Sequence, residues 1–95
     1  MSEIQTKIVL WHRDGSGRPI FQDTSDALFY GVLISNHPDS IDELKHLRAE
    51  AYKEIEYIKK MSQPNFQRIV NLSFRAQMYR EAYTEAERLK GEARE

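Results

Sequence analysis

The chain has 95 residues, a single-domain length, with 31% charged side chains, a formal net charge of −1 and no cysteine. The missing cysteine excludes disulfides, thiolate chemistry and thiolate zinc sites, and the near-neutral balance gives no bulk attraction to nucleic acid or an anionic membrane. A core this thin is marginal without reinforcement, and self-association is the reinforcement left.

Met1 to Lys7 lacks the basic-then-apolar layout of a secretory signal. The longest apolar run, Ala27 to Ile34, is too short to span a bilayer. A cytoplasmic protein with no membrane partner is expected. Gln5 to Arg13 alternates weakly, with Ile8 and Leu10 on one face and Val9 and Trp11 on the other, and reads as a strand. Asp14-Gly15-Ser16-Gly17-Arg18-Pro19 is a breaker cluster, and Ile20-Phe21-Gln22 returns as a short second strand. Asp23-Thr24-Ser25-Asp26 suits a helix cap or a turn. Ala27 to Ile34 has strand length, aromatic and β-branched residues and a mid-run glycine. It reads as a strand, with a helix over 26–35 as the alternative that would make the chain nearly all-α.

Ser40-Ile41-Asp42-Glu43 has the form of a capping box. The helix it opens, over 40–61, carries the stripe Leu44, Leu47, Ala51, Ile55 and Ile58. After a short link with Pro64, a second helix runs over 64–90, and Gly91 is a natural stop before a tail at 91–95. So short a link makes the two helices antiparallel neighbours. The expected fold class is α+β: a small N-terminal antiparallel β unit of two or three strands (1–36) packed on a C-terminal antiparallel helical hairpin, all in one domain. The expected core is Ile8, Leu10, Phe21, Leu28, Val32, Leu33, Leu44, Leu47, Ala51, Ile55, Ile58, Ile69, Leu72, Ala76 and Tyr79.

The second helix is apolar on two sides. Ile69, Leu72, Ala76, Tyr79, Tyr83 and Ala86 form one stripe, and Phe66, Val70, Phe74 and Met78 form another at i,i+4 spacing. One stripe suffices for a surface helix. The second needs the N-terminal third or another copy of the chain, so Phe66, Val70, Phe74 and Met78 are the expected oligomer interface. Arg68, Asn71 and Arg75 form a polar seam between the stripes. A guanidinium flanked by apolar surface needs an anion, because an unpaired desolvated charge is costly. Glu50 or Glu54 of the first helix is one candidate partner; a phosphate or acidic surface at an inter-subunit groove is the other. Arg68 and Arg75 root about 10 Å apart along one face, a span that suits two phosphates or two carboxylates. Arg80, Tyr79 and Tyr83 complete the candidate ligand or partner site, since Tyr and Arg dominate interface hot spots and also hold nucleotides.

Charge is segregated. From Tyr57 to Arg80 there is no acid, while Lys59, Lys60, Arg68, Arg75 and Arg80 stand there. The turn end of the hairpin is therefore basic and its open end acidic. Glu81, Glu85 and Glu87 follow at once and would repel a long polyanion, which makes a nucleic-acid-binding accessory role the weakest reading. Catalytic signals are weak. His12-Arg13-Asp14 lacks a nucleophile, the glycine loop lacks a phosphate-binding lysine, and His12, His37 and His46 have no ligand spacing. No enzyme activity, metal or cofactor is expected.

From Ser40 to Lys90 the layout resembles small phage-encoded counter-defence proteins, in particular the nucleotide-sequestering sponge families with a C-terminal helical hairpin and oligomeric assembly. Where those families carry small residues in the second helix, this chain has Asn71-Leu72-Ser73-Phe74-Arg75-Ala76-Gln77-Met78-Tyr79. The resemblance implies an inhibitor of a host defence system holding a cyclic or linear nucleotide at a subunit interface, and transfers no residue role. The chain's size and lack of cysteine equally suit a protein inhibitor of a host enzyme. The functional expectation is a non-enzymatic oligomeric interaction module, with nucleotide sequestration as the alternative.

Overall fold

The computed structural model describes residues 3–93, with side chains through Gly91. Among these residues there are four helices and no strand: α1 (Glu3–Val9), α2 (Thr24–Ile34), α3 (Pro38–Lys59) and α4 (Phe66–Ala93). The expected β unit is absent from the described residues, and the fold is mostly α. Among the described residues an isolated antiparallel bridge between Arg13 and Pro19 closes the loop expected to join the first two strands.

The correction has a local cause and a tertiary one. Locally, Asp23 caps α2: its carboxylate accepts from the Asp26 amide at 2.9 Å, and the Asp26 carboxylate accepts from the Gln22 amide at 3.1 Å. The first bond satisfies an orphan donor at the helix start, and the second ties the incoming chain to the first turn. In tertiary terms, α2 presents Ala27 and Gly31 to α4. A Cβ at Gly31 would lie 2.5 Å from the Ala82 carbonyl oxygen and 3.0 Å from Glu85 Cβ. The mid-run glycine is thus a helix contact and not a strand interruption. With helical phase, Leu28 and Val32 turn outward, and Leu10 lies beyond α1 at 76% exposure. All three leave the expected core, while Ala27, Tyr30 and Ile34 enter it.

α3 starts two residues before the expected box. Pro38 occupies the first turn, His37 stands at the N-cap without a side-chain hydrogen bond, and Ser40 lies inside the helix. Proline is pre-set for that position, having fixed φ and no amide to leave unpaired. α4 is capped by Asn65, whose side-chain oxygen accepts from the Arg68 amide at 3.1 Å, and the helix passes through Gly91 to Ala93.

α3 and α4 form the expected antiparallel hairpin. Phe21 meets Tyr79 edge-on at 6.2 Å between ring centroids, and Gly31 meets Ala82. α2 therefore runs from the middle of α4 toward its C-terminal end. At 1.5 Å per residue α2 is about 16 Å long and α4 about 42 Å, so α2 covers only part of α4. The core divides accordingly. One cluster joins Ile8, Phe21, Ala27, Tyr30, Leu33, Ile34, Ile41, Leu44, Met78, Tyr79, Ala82 and Ala86. The other, between α3 and the first half of α4, holds Ala51, Ile55, Ile58, Leu72 and Ala76. The molecule is elongated, 50 × 28 × 21 Å, because the turn end of the hairpin projects beyond the α2 layer. No helix of the described residues is long and apolar enough to cross a membrane.

Candidate functional site

Where α2 stops, α4 keeps its second apolar stripe. Met78 is 5% exposed under the chain that leads into α2, but Phe74 is 48%, Val70 58% and Phe66 71% exposed. Beside them, Pro19, Ile20 and Phe21 form an opposite wall. The result is an open groove of about 470 Å³, lined also by Asp14, Asn71 and Arg75.

The opposite wall is held firmly. The Asp14 carboxylate accepts from the Ser16 amide at 2.9 Å, the Ser16 hydroxyl at 2.8 Å and the Arg18 amide at 3.0 Å. Desolvation works against the Asp14 charge, but these hydrogen bonds and the nearby Arg18 outweigh it and hold its carboxyl below the usual range. Arg13 donates to the Gly17 carbonyl at 3.0 Å and lies 3.6 Å from Glu43 of α3. The Trp11 indole donates to the Ile20 carbonyl at 2.9 Å. Trp11, Phe21 and Tyr30 pack at 5.1 to 6.0 Å between centroids, Trp11 edge-on to Tyr30 and the other two pairs tilted.

Next to the groove, toward α3, lies a small cavity of about 20 Å³, bordered by Arg18, Glu50, Glu54, Arg75 and Tyr79 among others. Two of the three arginines nearby are matched. Arg68 pairs with Glu54, donating from Nε at 2.9 Å, and Arg18 lies 3.9 Å from Glu50. His46 Nε2 also lies 3.0 Å from the Glu50 carboxylate. Arg75 is half-buried and forms no ion pair with any described carboxylate. It borders both the cavity and the groove. Tyr79 is 1% exposed, and its hydroxyl has no hydrogen-bond partner among the described residues. Burial pushes its phenol above the ordinary range, with Arg75 and Arg18 pulling it back.

The structure therefore separates the residues read together from the sequence. Arg75 and Tyr79 converge on one cavity. Arg68 reaches across to α3. Asn71 is on the groove rim and accepts from Gln67 at 3.0 Å. Tyr83 packs against the same core cluster as Tyr79, beneath Lys45 at 5.7 Å from its ring centroid. Arg80 is exposed, about 140° around the helix from Arg75. Arg18 and Ile20, which the sequence places in a loop and a short strand, are not expected beside Arg75; they lie more than fifty residues from it, and only the fold brings them there. Among the described residues no group of three or more potential metal ligands comes together. Compared with protein families, curated proteins and solved structures, the chain matches none.

Proposed function

We propose that this chain is a non-enzymatic interaction module whose working surface is the uncovered N-terminal half of α4, buried on assembly against another polypeptide. The observation that carries this is the run Phe66, Val70 and Phe74, which continues the stripe that α2 covers and is itself left bare. An aligned apolar face beside a preformed groove is the form that receives a partner helix. A cysteine-free chain needs no oxidising compartment, which agrees with a cytoplasmic setting.

Two occupants follow from different observations. The bare stripe supports a second copy, because an antiparallel two-fold pairing would bring Phe66 of one chain to Phe74 of the other. The charge pattern favours a different, acidic surface. The same pairing would bring Arg75 of one chain within about a turn of Arg68 of the other, and Arg75 has no described carboxylate to offset it. Native mass spectrometry of the freshly purified chain and of Phe74→Asp tests the proposal. A homo-oligomer dispersed by the variant gives the first occupant, and a bound protein lost with the variant gives the second. A monomer at micromolar concentration, with wild type and variant alike in state and bound partners, would overturn the proposal.

A further inference from the structure

Arg75 and Tyr79 together present an unusual pair of unmet demands. A half-buried guanidinium without an ion pair and a buried phenol without a hydrogen-bond partner border the same small cavity. Both groups can donate at neutral pH, where a tyrosine phenol keeps its proton. A buried donor left unsatisfied is costly, so the arrangement favours an acceptor brought from outside. The cavity, at about 20 Å³, has room for roughly one oxygen-sized group. From Arg75 the surface opens directly onto Val70, Phe74, Met78 and Ile20.

We infer that Arg75 and the Tyr79 hydroxyl form the anchor for a single carboxylate borne on an apolar stem that lies in the α4 groove, an acidic side chain of the docked partner segment. This rests on the reading of the bare α4 face as the working surface. Charge selects a monoanion. Arg18 and Arg68 are engaged by Glu50 and Glu54, and Asp14 stands on the far wall. Arg75 is the one guanidinium of the three without a carboxylate, and a phosphate dianion would also meet Glu50, Glu54 and Asp14. The planar guanidinium fork also fits a carboxylate in two-point contact.

The test uses the full-length chain with sodium octanoate, 1-octanol and inorganic phosphate as probes. Binding is followed by NMR on the Val70 and Ile20 methyls and the arginine Nε–H signals. Octanol reads the apolar groove alone, and octanoate adds the anchor. Octanoate is expected to bind about tenfold more tightly than octanol, the effect of one charge-assisted contact at a partly exposed site. It should shift the Arg75 Nε–H while leaving that of Arg68 in place. The preference should vanish in Arg75→Gln, shrink in Arg75→Lys, and shrink in Tyr79→Phe, three variants that keep helix-compatible side chains. Equal affinities for the two probes, or a preference that survives Arg75→Gln, would overturn the anchor while leaving the groove intact. Phosphate displacing octanoate at lower concentration than octanoate itself requires would overturn the carboxylate assignment in favour of a phosphorylated ligand. If neither eight-carbon probe perturbs the groove, the working-surface reading fails and takes the anchor with it.

Discussion

The two halves of α4 carry the same kind of sequence and meet different surroundings. In the C-terminal half, Met78, Ala82 and Ala86 are covered by α2 or the chain leading into it, Tyr79 and Tyr83 face α3, and side chains there shrink to alanine so that backbones can approach. In the N-terminal half, Ile69, Leu72 and Ala76 face α3, while Phe66, Val70 and Phe74 are left exposed on the open groove. Two stripes on a helix announce two neighbours. They do not say that one neighbour is 11 residues long and must leave the remaining turns bare. The size of the side chains does carry that information: small residues mark the half closed by an intramolecular contact, and large aromatics mark the half left open.

The sharpest way to break this contrast is truncation on both sides of it. Ile34 is fully buried and Val70 is 58% exposed. Ile34→Ala should cost about 3 kcal/mol as lost transfer energy plus a cavity, lowering the melting temperature by more than about 10 °C in a domain this size. Val70→Ala should move it by less than about 3 °C, within the range of surface changes. Comparable losses at the two positions would mean that the N-terminal face is already covered.

A smaller effect probes how closely α2 sits on α4. Gly31→Ala puts a methyl 2.5 Å from the Ala82 carbonyl oxygen, which is backbone and cannot yield as a side-chain tip would. The gain in helix propensity, about 1 kcal/mol, should be outweighed by overpacking, for a net loss of about 2 kcal/mol. Thermal melting checks the sign: a more stable Gly31→Ala would show that the helices are not in contact there.

The hairpin was legible because its apolar residues recur at helical spacing, and α2 was not, for the opposite reason. Ala27 to Ile34 is apolar at every position, so it has no phase to read, and Leu28 and Val32 looked as suitable for burial as Tyr30 and Ile34. The useful signals were Asp23 and Asp26 flanking the start and the small residues Ala27 and Gly31 four apart. They identify a helix only when the matching small face on Ala82 and Ala86 is noticed fifty residues away. The candidate site shows the same limit. The polar seam on α4 singled out Arg75, but whether Arg68 or Arg75 would claim Glu54 depends on the register of α3 against α4. That Arg18 would engage Glu50 depends on the path of the loop.

That loop supplies a smaller prediction, since its glycine content reads as mobility and its bonding does not. Gly17 has φ +82° and Gly15 is in open space, and the Gly17 carbonyl accepts from Arg13. Gly17→Ala should cost about 1 kcal/mol, because a left-handed backbone strains any Cβ, whereas Gly15→Ala should be silent. Equal effects from the two would mean that the groove wall is not fixed by its hydrogen bonds. In that case the N-terminal half of α4 would border a mobile flap.

The smallest expected change lies at Tyr79, where the two halves of α4 meet. Removing a buried hydroxyl that has no partner removes a desolvation cost and little else, so Tyr79→Phe should be neutral or slightly stabilising at pH 7. The difference should grow in alkali. Burial raises the folded pKa of Tyr79 above the ordinary value of 10.0. Above that pH the unfolded chain gives up the proton before the folded one does, so the unfolded state gains stability and the folded state loses its margin as pH rises. Phenylalanine has no proton to give up. Tyr79→Phe should therefore unfold at a higher pH than the wild type, while Tyr30, also raised by burial, keeps part of the alkaline loss in both proteins. Denaturant midpoints measured from pH 8 upward will show it. If the variant is weaker at neutral pH and the curves stay parallel in alkali, the Tyr79 hydroxyl is already bonded inside the chain, and the case for an outside acceptor at Arg75 loses its second donor.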